Sequence, residues 1–421
     1  MEDVILVGRL NPMLSDEVFS DSMEELESLT KTAGGRIKAT LTQVRKRVDA
    51  ATFIGSGKVE ELKHLCQELG VDTVIFNDEL SPSQQTNLAL ALEVKILDRT
   101  QLILDIFAGR ARSREGRLQV ELAQLNYLLP RLTGLGLSLS RLGGGIGTRG
   151  PGETQLETDR RHIRRRIGEI KKQLATVVRH REQYRSRRRK NKTFKIALVG
   201  YTNVGKSTLF NQLTHADTLQ ENKLFATLDP LTRQFRCPDG MSILMTDTVG
   251  FIQDLPTEIV AAFLSTLEEI READLLFHVV DASHPDYHNH MKTVERLVNE
   301  LGAGQIPMMV LFNKKDAISN LEVFTPPKEG LLVSAFNEVD LMRIKQHIQD
   351  KVIEQSAPYR IMVKAGDGGL ITRLHAETII KNHHWDDEKE AYQYDGFVWR
   401  ESSLYQQLTL QHVREAEKDH V

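Results

Sequence analysis

The clearest chemistry in the sequence lies in a glycine-rich segment that follows an apolar run, Lys-Ile-Ala-Leu-Val, at 195–199. The segment reads Gly200-Tyr201-Thr202-Asn203-Val204-Gly205-Lys206-Ser207, the GxxxxGK[ST] pattern of a phosphate-binding loop between a strand and a helix. Its glycines let backbone N–H groups turn toward phosphate oxygens, and the helix after it adds the positive end of its dipole. We predict that Lys206 contacts the β- and γ-phosphates of a nucleotide and that the Ser207 hydroxyl is a ligand of Mg²⁺.

A second segment, Asp247-Thr248-Val249-Gly250, follows an apolar run that is typical of a strand. It predicts that the Asp247 carboxylate holds Mg²⁺ through a water molecule and that the Gly250 N–H senses the γ-phosphate. Between these two segments lies Phe-Ala-Thr-Leu-Asp-Pro at 225–230. Its Thr227 stands where a switch threonine would complete the Mg²⁺ shell.

A third segment, Asn313-Lys314-Lys315-Asp316, also follows an apolar strand. The Asp316 carboxylate can accept hydrogen bonds from guanine N1–H and from the exocyclic amino group. Adenine offers no such pair of donors and would leave the carboxylate unpaired, so the segment selects guanine. In the last segment, Ser334-Ala335-Phe336, the Ala335 N–H is expected to donate to guanine O6.

The order of these segments predicts an enzyme that binds GTP with Mg²⁺ and hydrolyses the GTP. Lys206, Thr227 and Gly250 are the predicted catalytic group. The predicted nucleotide contacts are Gly200, Tyr201, Thr202, Asn203, Val204, Gly205, Lys206, Ser207, Thr208, Phe225, Ala226, Thr227, Leu228, Asp229, Asp247, Thr248, Val249, Gly250, Asn313, Lys314, Lys315, Asp316, Ser334, Ala335 and Phe336.

Phe251 follows Gly250, at the position where Ras-like enzymes have a glutamine that orients the attacking water. A phenylalanine ring neither donates nor accepts such a hydrogen bond. We therefore expect slow hydrolysis unless a partner or another residue positions the water. Phe251 can at the same time be a packed switch residue.

The elements around these segments predict an α/β protein. Residues 1–98 predict an N-terminal α/β subdomain, with strands at 4–7, 71–76 and 94–97 and helices at 60–69 and 87–92. Residues 193–355 predict a P-loop G domain, a mostly parallel sheet with flanking helices, and residues 356–421 a small α+β C-terminal domain.

Residues 99–192 predict a helical hairpin. Leucines at 118, 122, 125 and 129 form one apolar stripe, and apolar residues from 163 to 184 form another. The stretch between them, 134–152, is too rich in glycine to predict a helix. The second helix, from about 153 to 190, carries far more Lys and Arg than Glu, which favours a polyanion contacted at its phosphates. The candidate RNA contacts are Arg164, Arg165, Lys171, Lys172, Arg187, Arg188 and Arg189.

Composition sets broad limits on the whole chain. The 421 residues carry a formal net charge of -3, which by itself gives no reason to expect a nucleic-acid partner. Two cysteines, far apart, favour a reduced cytoplasmic setting. The first apolar run is too short for a signal peptide, and no segment is long enough to predict an integral membrane helix. We expect a monomer.

Several stretches outside the nucleotide motifs resemble the HflX family of ribosome-associated GTPases. They are Asp-Arg-Thr at 98–100, Leu-Asp-Ile-Phe-Ala at 104–108, Gln-Val-Glu-Leu-Ala-Gln-Leu at 119–125, and Gly-Pro-Gly-Glu-Thr-Gln-Leu-Glu-Thr-Asp-Arg-Arg at 150–161. The resemblance implies binding to the large ribosomal subunit and its rRNA, and GTP-dependent splitting of stalled ribosomes after stress. The basic helix favours the same kind of partner, and the glycine-rich loop could thread into a narrow RNA cavity.

Other readings stay open on the sequence alone. The GTPase could act in ribosome assembly or on tRNA, or be a GTP-timed switch on a protein or membrane partner. A metabolic kinase is disfavoured because the third segment selects guanine. An ATP site of the N-terminal region, at Gly-Ser-Gly-Lys 55–58, is the less favoured reading because the segment lacks the spacing of a phosphate loop.

Overall fold

The computed structural model describes residues 2–13, 15–140, 151–188, 193–214, 224–225, 227–253, 264–318 and 324–408. The chain divides into two compact units, unit 1 (Met1–Val178, Asn222–Asp229 and Ile252–Ser265) and unit 2 (Arg179–Glu221, Pro230–Phe251 and Thr266–Val421). The four-domain division made from the sequence stays a prediction.

Unit 1 begins with a parallel four-stranded sheet, in the strand order β2-β1-β3-β4. Its elements are β1 (Asp3–Leu10), α1 (Asp16–Thr32), β2 (Arg36–Val44), α2 (Ser56–Leu69), β3 (Thr73–Phe76), α3 (Pro82–Leu92) and β4 (Lys95–Asp98). Ile5, Val7 and Phe76 form its core with side chains of α2 and α3. The predicted strands and helices are confirmed. Helix α3 begins earlier than predicted because Ser81 and Gln84 form a capping box ahead of it.

Three helices follow: α4 (Arg99–Arg110), α5 (Arg114–Ser140) and α6 (Pro151–Arg188). The part of α6 after Val178 belongs to unit 2. Arg166 Nε on α6 donates to Glu121 Oε1 on α5 at 2.6 Å, a contact that suits the predicted antiparallel pair. The prediction that residues 134–152 contain no helix is wrong at both ends, because α5 runs to Ser140 and α6 starts at Pro151. A glycine inside a helix costs only about 1 kcal/mol relative to alanine, so a helix already nucleated can extend through it. Residues 141–150 lie outside the described part.

Unit 2 contains a six-stranded sheet in the order β10-β9-β8-β5-β7-β6, parallel except for β6, which is antiparallel to β7. The elements are β5 (Lys195–Gly200), α7 (Lys206–Thr214), β6 (Leu231–Arg236), β7 (Ser242–Asp247), α8 (Leu264–Arg271), β8 (Leu275–Asp281), α9 (Tyr287–Glu300), β9 (Met308–Asn313), β10 (Gly330–Leu332) and α10 (Glu338–Glu354). A short 3₁₀ helix, Lys315–Ala317, follows β9. Strands β5 and β8 are almost wholly buried and read as continuous apolar runs, as parallel strands covered on both faces do.

The C-terminal part of unit 2 is a three-stranded antiparallel sheet in the order β11-β13-β12. It consists of β11 (Ser356–Lys364), α11 (Gly368–Glu377), β12 (Thr378–Asp386) and β13 (Ala391–Trp399). The Trp399 ring lies edge-on against Phe194, just before β5, with ring centroids 5.5 Å apart. The predicted small α+β region is confirmed, and Trp399 ties it to the larger sheet.

Candidate nucleotide-binding site

The phosphate loop connects the end of β5 at Gly200 to the start of α7 at Lys206. Gly205 has a φ of +94°, and a Cβ at this position would lie 2.4 Å from Asn313 Nδ2. Both the backbone conformation and the lack of space therefore require glycine. The loop has the strand–loop–helix setting that the sequence predicted.

Lys206 is buried within this loop. Its Nζ donates to the carbonyl oxygens of Gly200 at 3.0 Å and of Tyr201 at 2.7 Å. Burial lowers the pKa of Lys206 to about 8, partly offset by the negative charge of Asp247. The ammonium is thus held at the inner surface of the loop, where β- and γ-phosphate oxygens would meet it.

The two residues predicted to serve Mg²⁺ in unit 2 lie side by side. Ser207 Oγ donates to Asp247 Oδ2 at 2.7 Å, and Asp247 is buried at the end of β7. The next residue, Thr248, donates from Oγ1 to Leu198 O at 2.5 Å and so ties this turn to β5. A hydroxyl next to a carboxylate is an oxygen donor set that suits Mg²⁺.

The turn after Asp247 closes against the phosphate loop. Thr202 N donates to Phe251 O at 2.7 Å, and Phe251 N donates to Gly200 O at 3.1 Å. A Cβ on Gly250 would lie 2.8 Å from Thr202 Cγ2 and 3.1 Å from Lys206 Nζ. Gly250 must therefore be a glycine, and Phe251 is a buried, packed residue, as the sequence analysis allowed.

Asn313 connects three of the predicted segments. Its Nδ2 donates to Val204 O at 2.9 Å, and its Oδ1 accepts from the Ala335 N–H at 3.1 Å. The Ala335 N–H therefore has a protein acceptor in this structure, and its donation to guanine O6 stays a prediction. The Asn313 side chain thus connects the phosphate loop to the Ser-Ala-Phe segment.

Two acidic residues that the sequence analysis missed support the same loops. Asp340, in the first turn of α10, is 2% exposed, and its Oδ2 accepts from Ser334 N at 3.0 Å. The same carboxylate faces Lys315 Nζ at 3.5 Å. Asp281, at the end of β8, pairs with Lys314 Nζ at 2.6 Å. Asp340 could have been predicted from the sequence, because it is an acidic residue in the first turn of the helix that follows the Ser-Ala-Phe segment.

The remaining residues of the two segments predicted to bind guanine are more exposed to solvent. Asp316 lies exposed in the 3₁₀ helix, and Phe336 is 71% exposed. Within the phosphate loop, the Tyr201 ring stacks on His290 with centroids 3.8 Å apart. Burial, with the neighbouring His284, lowers the pKa of His290 to about 4, so the stacked imidazole is neutral at pH 7. The base contacts of Asp316 and Phe336 stay predictions.

The predicted switch segment belongs to unit 1. The Phe225 ring contacts the buried Phe107 of α4, with centroids 4.6 Å apart. Asp229 Oδ2 accepts from the N–H groups of Arg112 at 2.9 Å and Ser113 at 2.8 Å, at the start of α5. No local pattern in the sequence predicts these contacts, which join residues more than a hundred positions apart. Ala226 lies outside the described residues, and the nucleotide contacts of the segment stay predictions.

Four of the predicted RNA contacts are exposed on α6, and the apolar side chains between them are not. Ile167 is 9% exposed and Ile170 is fully buried. The exposed side chains are those of Arg164, Arg165, Lys171 and Lys172. The side chains of Arg187 and Arg188 are outside the described part, as is the whole of Arg189.

Comparison with known proteins identifies the chain. Residues 20–108 match the family of GTP-binding GTPase N-terminal regions, residues 110–188 the GTP-binding GTPase middle region, and residues 195–314 the 50S ribosome-binding GTPase family. GTPase HflX of Alkalihalophilus pseudofirmus is 55% identical over 417 residues, which cover 99% of this chain and 98% of that protein. The chain belongs to the HflX family.

Two further known proteins align with most of this chain. GTPase HflX of Escherichia coli is 40% identical over 383 residues, covering 90% of this chain and 88% of that protein. A crystal structure of a GTP-binding protein from the archaeon Sulfolobus solfataricus in complex with GDP aligns with a TM-score of 0.46 and 24% identity, covering 83% of this chain and 99% of that one. As a member of the family with an intact phosphate loop, the chain is a P-loop GTPase that binds and hydrolyses GTP.

The two cysteines and the length of the helices were also considered in the sequence predictions. Cys66 and Cys237 are both buried and unpaired thiols. Within the described stretches of the chain, none of the helices combines the length and the apolar composition needed to cross a bilayer.

Proposed function

We propose that this GTPase binds the large ribosomal subunit through rRNA and uses GTP to separate the subunits of ribosomes, stalled ribosomes under stress among them. The observation that carries the proposal is the exposed basic face of α6, in a chain whose GTPase region matches the 50S ribosome-binding family. This basic face consists of Arg164, Arg165, Lys171 and Lys172. Such a partner also implies a cytoplasmic enzyme, and we propose that it acts as a monomer.

The charges of the basic face remain largely available to phosphates. Arg166 lies between Arg165 and Lys171 in the sequence but is not part of this face, because it donates two hydrogen bonds to the Glu121 carboxylate, of 2.6 and 2.9 Å. Arg165 has an ion pair with Glu169 at 3.4 Å, but its side chain is 79% exposed. An ion pair so exposed contributes little and is readily exchanged for a phosphate. Binding through such charges releases counterions from RNA and is therefore strongly salt-dependent.

Nucleotide chemistry in this proposal needs Mg²⁺, for which Ser207 and Asp247 provide a fitting oxygen pair. Thr227 is a further ligand predicted from the sequence alone. Mg²⁺ bound there would neutralise charge on the β- and γ-phosphate oxygens. The chain's own groups do the rest: Lys206 binds phosphate oxygens, and the Gly250 N–H senses the γ-phosphate. Since Phe251 cannot orient water, hydrolysis by the protein alone is expected to be slow and to be stimulated by the ribosome.

The experiment measures GTP-dependent dissociation of 70S ribosomes on sucrose gradients, together with the salt dependence of binding to purified 50S subunits. The variant Lys171→Ala/Lys172→Ala removes two charges from the basic face. We expect weaker 50S binding, a slope of log affinity against log salt reduced by about 2, and less dissociation. The matched control is Lys292→Ala/Lys389→Ala, which removes two exposed charges elsewhere and should behave as wild type.

The possible outcomes separate the readings. Tight 50S binding without any 70S dissociation would point to a role in assembly instead of splitting. An unchanged salt slope in the Lys171/Lys172 variant would exclude the basic face as the RNA contact. Salt-dependent binding to anionic vesicles, with none to 50S subunits, would favour a membrane-associated switch.

A further inference from the structure

The hydroxyl of Thr202 is a buried polar group with no evident role in the fold. Thr202, the third residue of the phosphate loop, is 6% exposed, and among the described residues its Oγ1 has no hydrogen-bond partner. Its backbone N–H is already used, because it donates to Phe251 O. Buried hydroxyls are normally paired, and a valine would fill the same space without a polar atom to desolvate. The hydroxyl therefore needs another explanation.

The Thr202 side chain lies beside the place where the γ-phosphate is expected. A Cβ on Gly250 would come within 2.8 Å of Thr202 Cγ2 and within 3.1 Å of Lys206 Nζ. The Thr202 methyl group and the phosphate-binding ammonium thus flank the same glycine, whose N–H is predicted to sense the γ-phosphate, and the hydroxyl is on the same Cβ as that methyl group. Any side chain at Gly250 would fill this space.

The other polar side chains of the loop have different surroundings. Ser207 Oγ donates to Asp247. The Tyr201 ring is stacked on His290, and Asn203 is exposed. Phe251, at the usual position of a water-orienting glutamine, offers only a ring. Thr202 Oγ1 is then the loop hydroxyl that is enclosed and that has no hydrogen-bond partner among the described residues.

We propose that the Thr202 hydroxyl positions the water that attacks the γ-phosphate. The hydroxyl accepts a hydrogen bond from the water, and its own proton can be donated to a γ-phosphate oxygen. The water oxygen forms a bond to Pγ, and the bond from Pγ to the bridging oxygen breaks, leaving its electron pair on GDP. The proton of the water passes to the phosphate product, so Thr202 orients the water without changing its own protonation state.

Three variants of the full chain test this role in single-turnover GTP hydrolysis without ribosomes. Thr202→Val keeps the shape and removes the hydroxyl, and Thr202→Ser keeps the hydroxyl. Thr214→Ser, on α7, is the control, because Thr214 is outside the predicted nucleotide contacts and its hydroxyl donates to Phe210 O. We expect Thr202→Val to hydrolyse GTP about 100-fold more slowly, and Thr202→Ser to stay within about threefold of wild type. GDP affinity should stay within about threefold in both, because the loop backbone and Lys206 are unchanged.

Two results would overturn the proposal. One is a Thr202→Val rate close to wild type, or a Thr202→Ser rate as low as that of Thr202→Val. The other is a parallel loss of rate and GDP affinity in Thr202→Val, which indicates a structural role; thermal unfolding with and without GDP verifies that each variant is folded. The inference rests on the GTPase reaction and not on ribosome splitting, so failure of either leaves the other standing.

Discussion

Replacing Asp340 by alanine tests how the two segments predicted to bind guanine, residues 313–316 and 334–336, are held together. The Asp340 carboxylate accepts the Ser334 N–H at 3.0 Å and lies 3.5 Å from Lys315 Nζ and 3.2 Å from an Arg343 nitrogen. It therefore joins the two segments predicted to contact the base, one through Ser334 and one through Lys315. Without it, the Ser334 N–H is left buried and unpaired.

The size of the effect follows from the burial of each partner. A hydrogen bond from a buried N–H to a carboxylate contributes about 1.5–3 kcal/mol. The Lys315 and Arg343 side chains are 35% and 49% exposed, so their ion pairs together add at most about 1 kcal/mol. We expect Asp340→Ala to lower the free energy of unfolding by about 1.5–4 kcal/mol. Asp340→Asn keeps an acceptor without the charge and should lose about 1–2 kcal/mol.

Nucleotide binding should weaken for the same reason. A loop displaced in the free variant must reorder when GDP binds, and a penalty of about 2 kcal/mol corresponds to about 30-fold weaker binding. GDP and IDP should lose affinity equally, because the reordering penalty arises in the free protein and does not depend on which base binds. Titration calorimetry measures the affinities and urea unfolding the stability. Asp350→Asn, an exposed acid on the same helix, is the control. An Asp340→Ala protein that binds GDP as tightly as wild type would refute the reasoning.

Two further predictions concern other contacts. A Cβ on Gly116 would lie 2.6 Å from Asp229 Oδ1, so Gly116→Ala should displace the Asp229 carboxylate. Hydrogen exchange at the Arg112 and Ser113 amides should then become faster, because they lose their acceptor. The free energy of unfolding in urea should fall by about 1–2 kcal/mol. Gly109→Ala, with open space around it, is the control, and unchanged exchange in Gly116→Ala would contradict the prediction. Burial lowers the pKa of Lys206 in the free protein to about 8. Bound phosphate favours the charged ammonium, so GDP affinity should be independent of the Lys206 charge below pH 8. Above pH 8 the affinity should fall by up to about tenfold per pH unit. Calorimetry from pH 7 to 9 measures this fall; Lys206→Arg should show none, and a flat wild-type profile would contradict it.

The nucleotide site was predictable because its parts are local. A strand, a glycine-rich turn and a helix start are adjacent in the chain, so residue types and spacing alone predict the phosphate loop. The Gly205 position shows why: its φ of +94° excludes most side chains whatever the rest of the fold does. The strand before each motif was visible from its apolar run in the same way.

Helix ends were predicted less well. The expected glycine-rich loop was too long because local propensity sets only a small penalty per glycine, and the extent of α5 and α6 depends on more than their own composition. The charged residues of α6 predicted its exposed side, but only the fold shows that Arg166 is hydrogen-bonded to Glu121.

The sequence by itself determined the GTPase chemistry of this protein, with a phosphate loop and with predicted magnesium and guanine contacts, each carried by a few neighbouring residues. Only the tertiary structure decided which distant groups meet. Asn313 reaches Val204 across 109 positions, and Asp229 meets the start of α5 across 117. Such pairings depend on how strands order within a sheet and how helices pack, and no spacing along the chain encodes them.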